Sequence, residues 1–398
     1  MIELPLAGPQ SISAQTAGGT SSYPTVYQLA QQRNLEVQAA RAKYAIRQAE
    51  LRIAAQRPNP LLSAEIAKDT PHLSTLLEVP VELGGKRARR IGLAESELKL
   101  QDAELADAFR KLRRDLRKAF YGRMLADQRI ALAEAEVEIA QRVFNTAEER
   151  YKAGAVAFLE TLQAGLGLSR ARAGLEFEQK QRLASEAELR TVLNLTAEER
   201  VPVSGSLSEF APDFQSAVYL ATALRENPEL QLLSIQLEVE NQRLRLFKAE
   251  AYPDLNLIAG VDSWTPEFAA GPRAGFSIEL PLHKKRAGQI EQTRALQEQI
   301  KLAHQAIRRR VEGLVQSALA RLEAQRTRMR SFQTEIVPAA LELERLAEES
   351  YREGKSSILT VLEAQKSLRD VRVESLQAEF DFQMSAAELE EVAGVPLP

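Results

Sequence analysis

The chain has 398 residues, a formal net charge of −3, no Cys, and only 6% aromatic residues within an apolar fraction of 44%. Those values exclude disulfides, thiolate metal sites and a lipidated N-terminal Cys, and they supply no global field to attract nucleic acid. No apolar run approaches the ~18 residues of a transmembrane helix, and the opening MIELPLAGPQSISAQTAGG has neither the basic nor the apolar region of an intact signal peptide, so the chain reads as intracellular or as lacking its leader.

Residues 1–24, rich in Gly, Ser, Thr and Pro, read as an extended N-terminal segment. A helix is expected from an N-cap at Thr25 to about Arg57, where Asn59-Pro60 stops it. Period-two alternation then marks a hairpin at about 60–83. Leu62, Ala64 and Ile66 alternate with Ser63 and Glu65; Leu77, Val79, Val81 and Leu83 alternate with Glu78 and Glu82; Asp69-Thr70-Pro71 forms the turn. After Gly84-Gly85, a long helical pattern runs from about Lys86 to Lys152, with a coiled-coil-like seam that includes Leu105, Phe109, Leu112, Leu116, Val137, Phe144 and Tyr151. A further helix covers about 157–195, and a linker with Pro202, Gly205 and Pro212 occupies 196–217.

The second half replays the first. YKAGAVAFLETLQA (Tyr151–Ala164) returns as YREGKSSILTVLEA (Tyr351–Ala364), and EVPVELGGKR (78–87) is echoed by ELPLHKKR (279–286). The repeats are therefore 25–195 and 218–393, with a second hairpin at about 254–282 and helical-hairpin tips at 151–157 and 351–357. Gly154 and Gly354 end one helix at each tip, before Phe158-Leu159 and Ile358-Leu359 open the next. At about 1.5 Å per residue, a helix from Lys86 to the first tip spans roughly 100 Å. Two half-length helices end to end would match it, giving a rod-like protomer with strands at one end and bare tips at the other. Pro338 should bend the second long helix.

The hairpins read either as half-buried soluble ribbons or as membrane strands of about 9–11 residues. In the second case the apolar faces meet lipid and Glu65, Glu78, Asp262 and Glu279 turn inward to the lumen. Trp264, Phe268 and Phe276 would then belong to an interfacial girdle. Four strands are too few to close a barrel alone.

The duplicated helix–hairpin–long helix–tip–helix plan, the paired Y-x-x-G…L-x-x-L-x-A tips and the PVELGGKR hairpin exit resemble the TolC family of outer-membrane efflux channels over about residues 25–393. The GGKR form is most similar to members of heavy-metal efflux systems. The resemblance implies a mainly α fold with a small β part. Long coiled-coil-like helices would form an α-helical tunnel, and two hairpins would give four strands to a trimeric twelve-stranded outer-membrane barrel. It implies a homotrimer in outer-membrane lipid, reaching into the periplasm and partnered by a periplasmic adaptor and an inner-membrane pump. The channel would be a passive conduit for solutes such as heavy-metal cations or drugs, with no enzymatic activity, cofactor or nucleic-acid partner.

In that family, acidic positions after the tip tyrosines take part in a periplasmic gate, which here maps onto Tyr151, Glu160, Tyr351, Thr360 and Glu363. Thr360 stands where an acid is expected, so the second acidic ring is altered and Glu363 is its candidate. Adaptor docking falls on Gly154, Ala155, Gly354 and Lys355. From the residues alone, Glu160 and Glu363 equally suit a solvated face. The basic clusters beside the hairpin exits (Lys86, Arg87, Arg89, Arg90; Lys284, Lys285, Arg286) suit lipid phosphates or solvent. Those further along (Arg110, Lys111, Arg113, Arg114; Arg308, Arg309, Arg310) suit solvent or acidic neighbours. His72, His283 and His304 have no metal-ligand spacing, and no nucleophile elbow or phosphate loop is present. The competing reading is a soluble coiled-coil scaffold.

Overall fold

The computed structural model describes residues 22–69, 71–199, 201–203, 207, 216–263, 270–279 and 286–394. Trp264, Phe268, Lys284, Lys285 and His283 lie outside the described residues, as do most of the N-terminal segment and part of the linker. The chain divides into two compact units. One comprises Met1–Asn34, Leu112–Pro212 and Arg321–Ala387; the other comprises Leu35–Lys111, Asp213–Ala320 and Glu388–Pro398.

In chain order the elements are α1 (Tyr23–Arg33), α2 (Leu35–Ala54), β1 (Leu61–Ile66), β2 (Leu73–Val81), α3 (Lys86–Lys152), α4 (Phe158–Leu193), α5 (Ser216–Glu226), α6 (Pro228–Glu250), β3 (Leu255–Ser263), β4 (Ala270–Ile278), α7 (Ala287–Ser331), α8 (Val337–Arg352) and α9 (Ile358–Ala393). The first helix begins at Tyr23, before the expected cap at Thr25, because Pro24 supplies a preset φ in its first turn. It is also not continuous to Arg57. Asn34 is extended (φ −63°, ψ 125°) and separates α1 from α2. Asn227 does the same between α5 and α6, where its side chain caps the Leu230 amide at 3.1 Å and Pro228 opens the new helix. The two breaks are matched in detail. Asn34 Nδ2 donates to the Val192 carbonyl at 2.9 Å, and Asn227 Nδ2 donates to the Val392 carbonyl at 2.8 Å.

The second long helix is interrupted at Phe332–Ile336, a π-helical segment in which the Val337 amide reaches back five residues to the Phe332 carbonyl. Pro338 lies just beyond, within the first turn of α8. The hydrogen-bond ladder thus slips by one residue ahead of the position that has no N–H to give.

Both hairpins belong to one antiparallel sheet, ordered β1-β2-β3-β4. β1 has 6 residues and β2, β3 and β4 have 9 each, so β1 is shorter than the expected span and Leu83 falls outside β2. The cores are thin seams of small residues, as the Ala-rich composition requires. Around the tips, Ala147, Ala164, Tyr351, Ile358 and Val361 pack with Val143, Phe144 and Leu362. In the other unit, Ala223, Leu230, Val311, Val315 and Ala393 form a separate cluster. Larger side chains such as Phe120, Phe382 and Leu322 are fully enclosed. Alanine at these contacts lets helix backbones approach closely while each larger neighbour fills the gap it leaves.

Candidate functional site: the two-faced sheet and the helical tips

Cross-strand register decides the faces of the sheet. The pairs Leu62–Leu77, Ala64–Thr75 and Ile66–Leu73 continue through Leu77–Ala259, Val79–Leu257 and Val81–Leu255 into Leu257–Phe276 and Leu255–Ile278. One face is therefore apolar almost throughout, and in the single chain it is exposed, with Ile66 at 84% and Phe276 at 70%. The opposite face carries Ser63, Glu65, Ser74, Glu78, Asn256, Asp262, Arg273 and Ser277, interspersed with Leu61, Leu76, Pro80 and Ile258. Glu279 follows Ser277 in the same alternation, one residue past β4, and is exposed. The four carboxylates thus fall on the polar face. Asp262 is the one that is buried, accepting a 2.6 Å hydrogen bond from Ser74 Oγ and lying 3.6 Å from Arg273 Nη1. Neither β1 nor β4 pairs on its outer side among the described residues.

The cations at the hairpin exits have protein partners. Lys86 Nζ is 2.7 Å from Asp254, Arg90 is paired with Glu82, and Arg87 Nε donates to the Ala55 carbonyl at 2.7 Å. Arg286 is 3.1 Å from Glu250. These carboxylates and carbonyls supply what opposes the cations at the starts of α3 and α7, so lipid phosphate is not required for Lys86, Arg87, Arg90 or Arg286. Of the later clusters, Arg110 binds both Asp107 (2.7 Å) and Glu391 (3.0 Å), and Lys111 is 2.9 Å from Asp107. Arg308 is 3.6 Å from Glu312.

The two tips have the same backbone solution. Gly154 and Gly354 take positive φ (71° and 74°). Their amides donate to the Tyr151 and Tyr351 carbonyls at 2.9 and 3.0 Å, while Ala155 and Lys355 donate to the Arg150 and Ser350 carbonyls at 2.9 Å. These paired bonds close off the last helical carbonyls in a Schellman arrangement, which needs a left-handed residue at the glycine. Gly154, Ala155, Gly354 and Lys355 all stay exposed.

The side chains differ between the tips. Tyr351 is buried, at 6% exposure, and its hydroxyl donates to Glu160 Oε2 at 3.4 Å. The Arg150 guanidinium stands over its ring, 4.5 Å from the centroid. Burial pushes the Tyr351 hydroxyl above the ordinary phenol range, against the opposing pull of Arg150, so it stays a proton donor. Tyr151 is 45% exposed and packs on the Phe158 ring at 5.6 Å. Its hydroxyl has no partner among the described residues, so of the two tip tyrosines only Tyr351 bonds across helices within the chain.

Thr360 and Glu363 are exposed one turn apart on α9. Glu363 lines a groove of about 340 Å³ with Glu136, Glu344, Arg170, Lys366 and Arg369. Arg150 was not among the sequence candidates, although a signal existed: Ser350 replaces it in the second copy, so it is a cation that the duplication does not repeat. Ser74 and Arg273 were likewise unselected, since only the register brings them to Asp262. No group of acidic and His side chains that could hold a metal occurs among the described residues.

The sequence profile described as Outer membrane efflux protein matches residues 26–195 and 219–395. The Cobalt-zinc-cadmium resistance protein CzcC of Cupriavidus metallidurans is 25% identical over 325 residues, covering 80% of this chain and 77% of that protein. Among solved structures, a membrane protein from Pseudomonas aeruginosa superposes with a TM-score of 0.78 at 16% identity, covering 94% of this chain and 92% of that one. CusC, from work on its folding and transmembrane channel formation, gives a TM-score of 0.77 at 16% identity over 99% of both chains.

Proposed function

The chain belongs to the outer membrane efflux protein family and is an outer-membrane channel of a tripartite efflux system; on that premise we propose that it works as a passive homotrimeric conduit. A periplasmic adaptor and an inner-membrane pump deliver solute to it, and the two repeats 25–195 and 218–393 each contribute one hairpin and one tip. The observation that carries this reading is the sheet. An apolar face left exposed, a polar face opposite it and two edges unpaired among the described residues suit part of a barrel whose neighbours are other copies of the chain. Antiparallel order is kept if β4 of one copy pairs with β1 of the next, and 4 strands from each of three copies reach a closable number. Apolar stripes left exposed on α4 (Leu159, Leu162, Leu166) and on α8 with the residue before it (Ile336, Leu343, Leu346) support helix packing between copies as well.

The tips supply the gate and the docking points. Glu160 and Tyr351 tie helices together, Thr360 and Glu363 face the entrance, and Gly154, Ala155, Gly354 and Lys355 meet the adaptor. The cobalt-zinc-cadmium resistance relative makes divalent transition-metal cations the first solutes to test. Because the chain has no Cys, assembly is testable by cysteine pairs. A cysteine at Ser63 on β1, combined in turn with one at Arg273, Gly275 or Ser277 on β4, should oxidise to covalent trimers in outer-membrane fractions at one register. Monomers at every register would refute the closed barrel.

A further inference from the structure

Arg273 is the only Lys or Arg among the described strand residues, and glycines stand next to it along and across the ladder. Gly271 and Gly275 flank it on the same face of β4, and Gly260 is its partner across the β3–β4 ladder. A Cβ at Gly260 would sit 2.3 Å from the Thr75 carbonyl oxygen and 2.7 Å from Leu76 Cδ2, so that position admits nothing larger than Gly, while a Cβ at Gly275 would meet only open space. The guanidinium therefore shares this part of the polar face with the Leu76 side chain, which reaches over Gly260, and is 52% exposed with Asp262 Oδ2 3.6 Å from Nη1. Asp262 is fixed independently by the Ser74 hydroxyl. The pair is thus one immobile anion and one long, half-exposed cation, among the further carboxylates Glu65, Glu78 and Glu279.

We infer that Arg273 sets the ion preference of the barrel interior, an inference that rests on the closed-barrel reading above. In a closed trimer, three copies of the pair form a ring of alternating charge on an otherwise acidic wall. Asp262 offsets Arg273 at this level, so cations released through the channel meet a weakened barrier rather than a ring of bare guanidinium groups. Charged rings of this kind, and substitutions on a lumen face, tune selectivity directly.

The experiment is the zero-current potential of purified oligomer in planar bilayers under a potassium chloride gradient. Arg273→Gln should raise the cation-over-anion permeability ratio several-fold, Asp262→Asn should lower it, and Arg273→Lys should keep the wild-type value. Opposite signs from the two neutralising variants are not expected of a structural role, since loss of packing moves both alike. If Asp262→Asn does not assemble, Arg273→Gln against Arg273→Lys still decides the matter. Wild-type channels whose ratio is unchanged by Arg273→Gln would overturn the inference and leave the barrel standing. Wild-type protein that forms no channels would overturn the barrel, and the inference with it.

Discussion

The Tyr351 hydroxyl donates to Glu160 at 3.4 Å, so a buried tyrosine at one tip is joined to the opening turn of the helix after the other. A hydrogen bond of this kind contributes about 0.5–1.5 kcal/mol. If it restrains the gate, Tyr351→Phe and Glu160→Gln should each raise the open probability of single channels, and the double variant should add little to either. Fully additive effects would place the two residues in separate roles.

The tip turns should be sensitive to residue type and tolerant of polarity. Gly154→Ala and Gly354→Ala each force a Cβ into left-handed backbone, at about 1–2 kcal/mol, whereas Gly354→Asn should cost less because Asn tolerates that region. Amide hydrogen exchange at Ala155 and Lys355 would read this as faster exchange in the Ala variants. Equal exchange in wild type, Ala and Asn variants would show that the turn imposes no such demand.

Glu344 carries a prediction about pH. Burial and then the neighbouring Glu348 carboxylate push its pKa above the ordinary value, opposed by Arg372 and Arg142. A carboxyl whose folded pKa is raised binds its proton more tightly in the folded state, so its ionisation destabilises the fold as pH rises through the carboxylate range. Glu344→Gln should raise the melting temperature at pH 7, with the gain shrinking as pH falls through that range. A gain that is constant with pH would mean that the titration is not responsible.

Glu363 is the exposed carboxylate one turn beyond Thr360, in a groove that also holds Lys366 and Arg369. Glu363→Gln should reduce cation selectivity and weaken divalent-cation block in planar-bilayer recordings, while Glu160→Gln should act mainly on opening. Loss of neither property would assign Glu363 to the solvated face.

Much of the fold was legible because each element announces itself locally. Alternation in Leu73–Val81 and at Phe276 and Ile278 specifies two-faced strands, and the glycines of the YxxG motifs specify the tips. The helix break at Asn34 was less legible than that at Asn227. Asn34 lies in a helical pattern with no breaking residue beside it, whereas Asn227 precedes Pro228, the same stop as Asn59-Pro60. The carbonyls the two side chains reach at Val192 and Val392 lie more than 150 residues away in sequence. The burial of Tyr351 against the exposure of Tyr151 was equally hidden, since the two occupy the same place in a repeated motif and differ only in what packs on them. The Ser74–Asp262–Arg273 contact depends on strand register between two hairpins, which neither hairpin encodes alone.

The most direct test of the membrane-embedded barrel compares adjacent residues on opposite faces of β2. Leu77 lies mid-strand on the apolar face, paired with Leu62 and Ala259, and Glu78 lies on the polar face. The measurement is the amount of heat-modifiable oligomer in isolated outer membranes for Leu77→Arg and for Glu78→Arg. An arginine facing lipid near the bilayer midplane costs about 2–4 kcal/mol, and one facing a polar lumen costs far less. Leu77→Arg should therefore lose most of the oligomer while Glu78→Arg assembles nearly as wild type. Equal assembly of the two variants, or loss confined to Glu78→Arg, would contradict the placement of the apolar face against lipid.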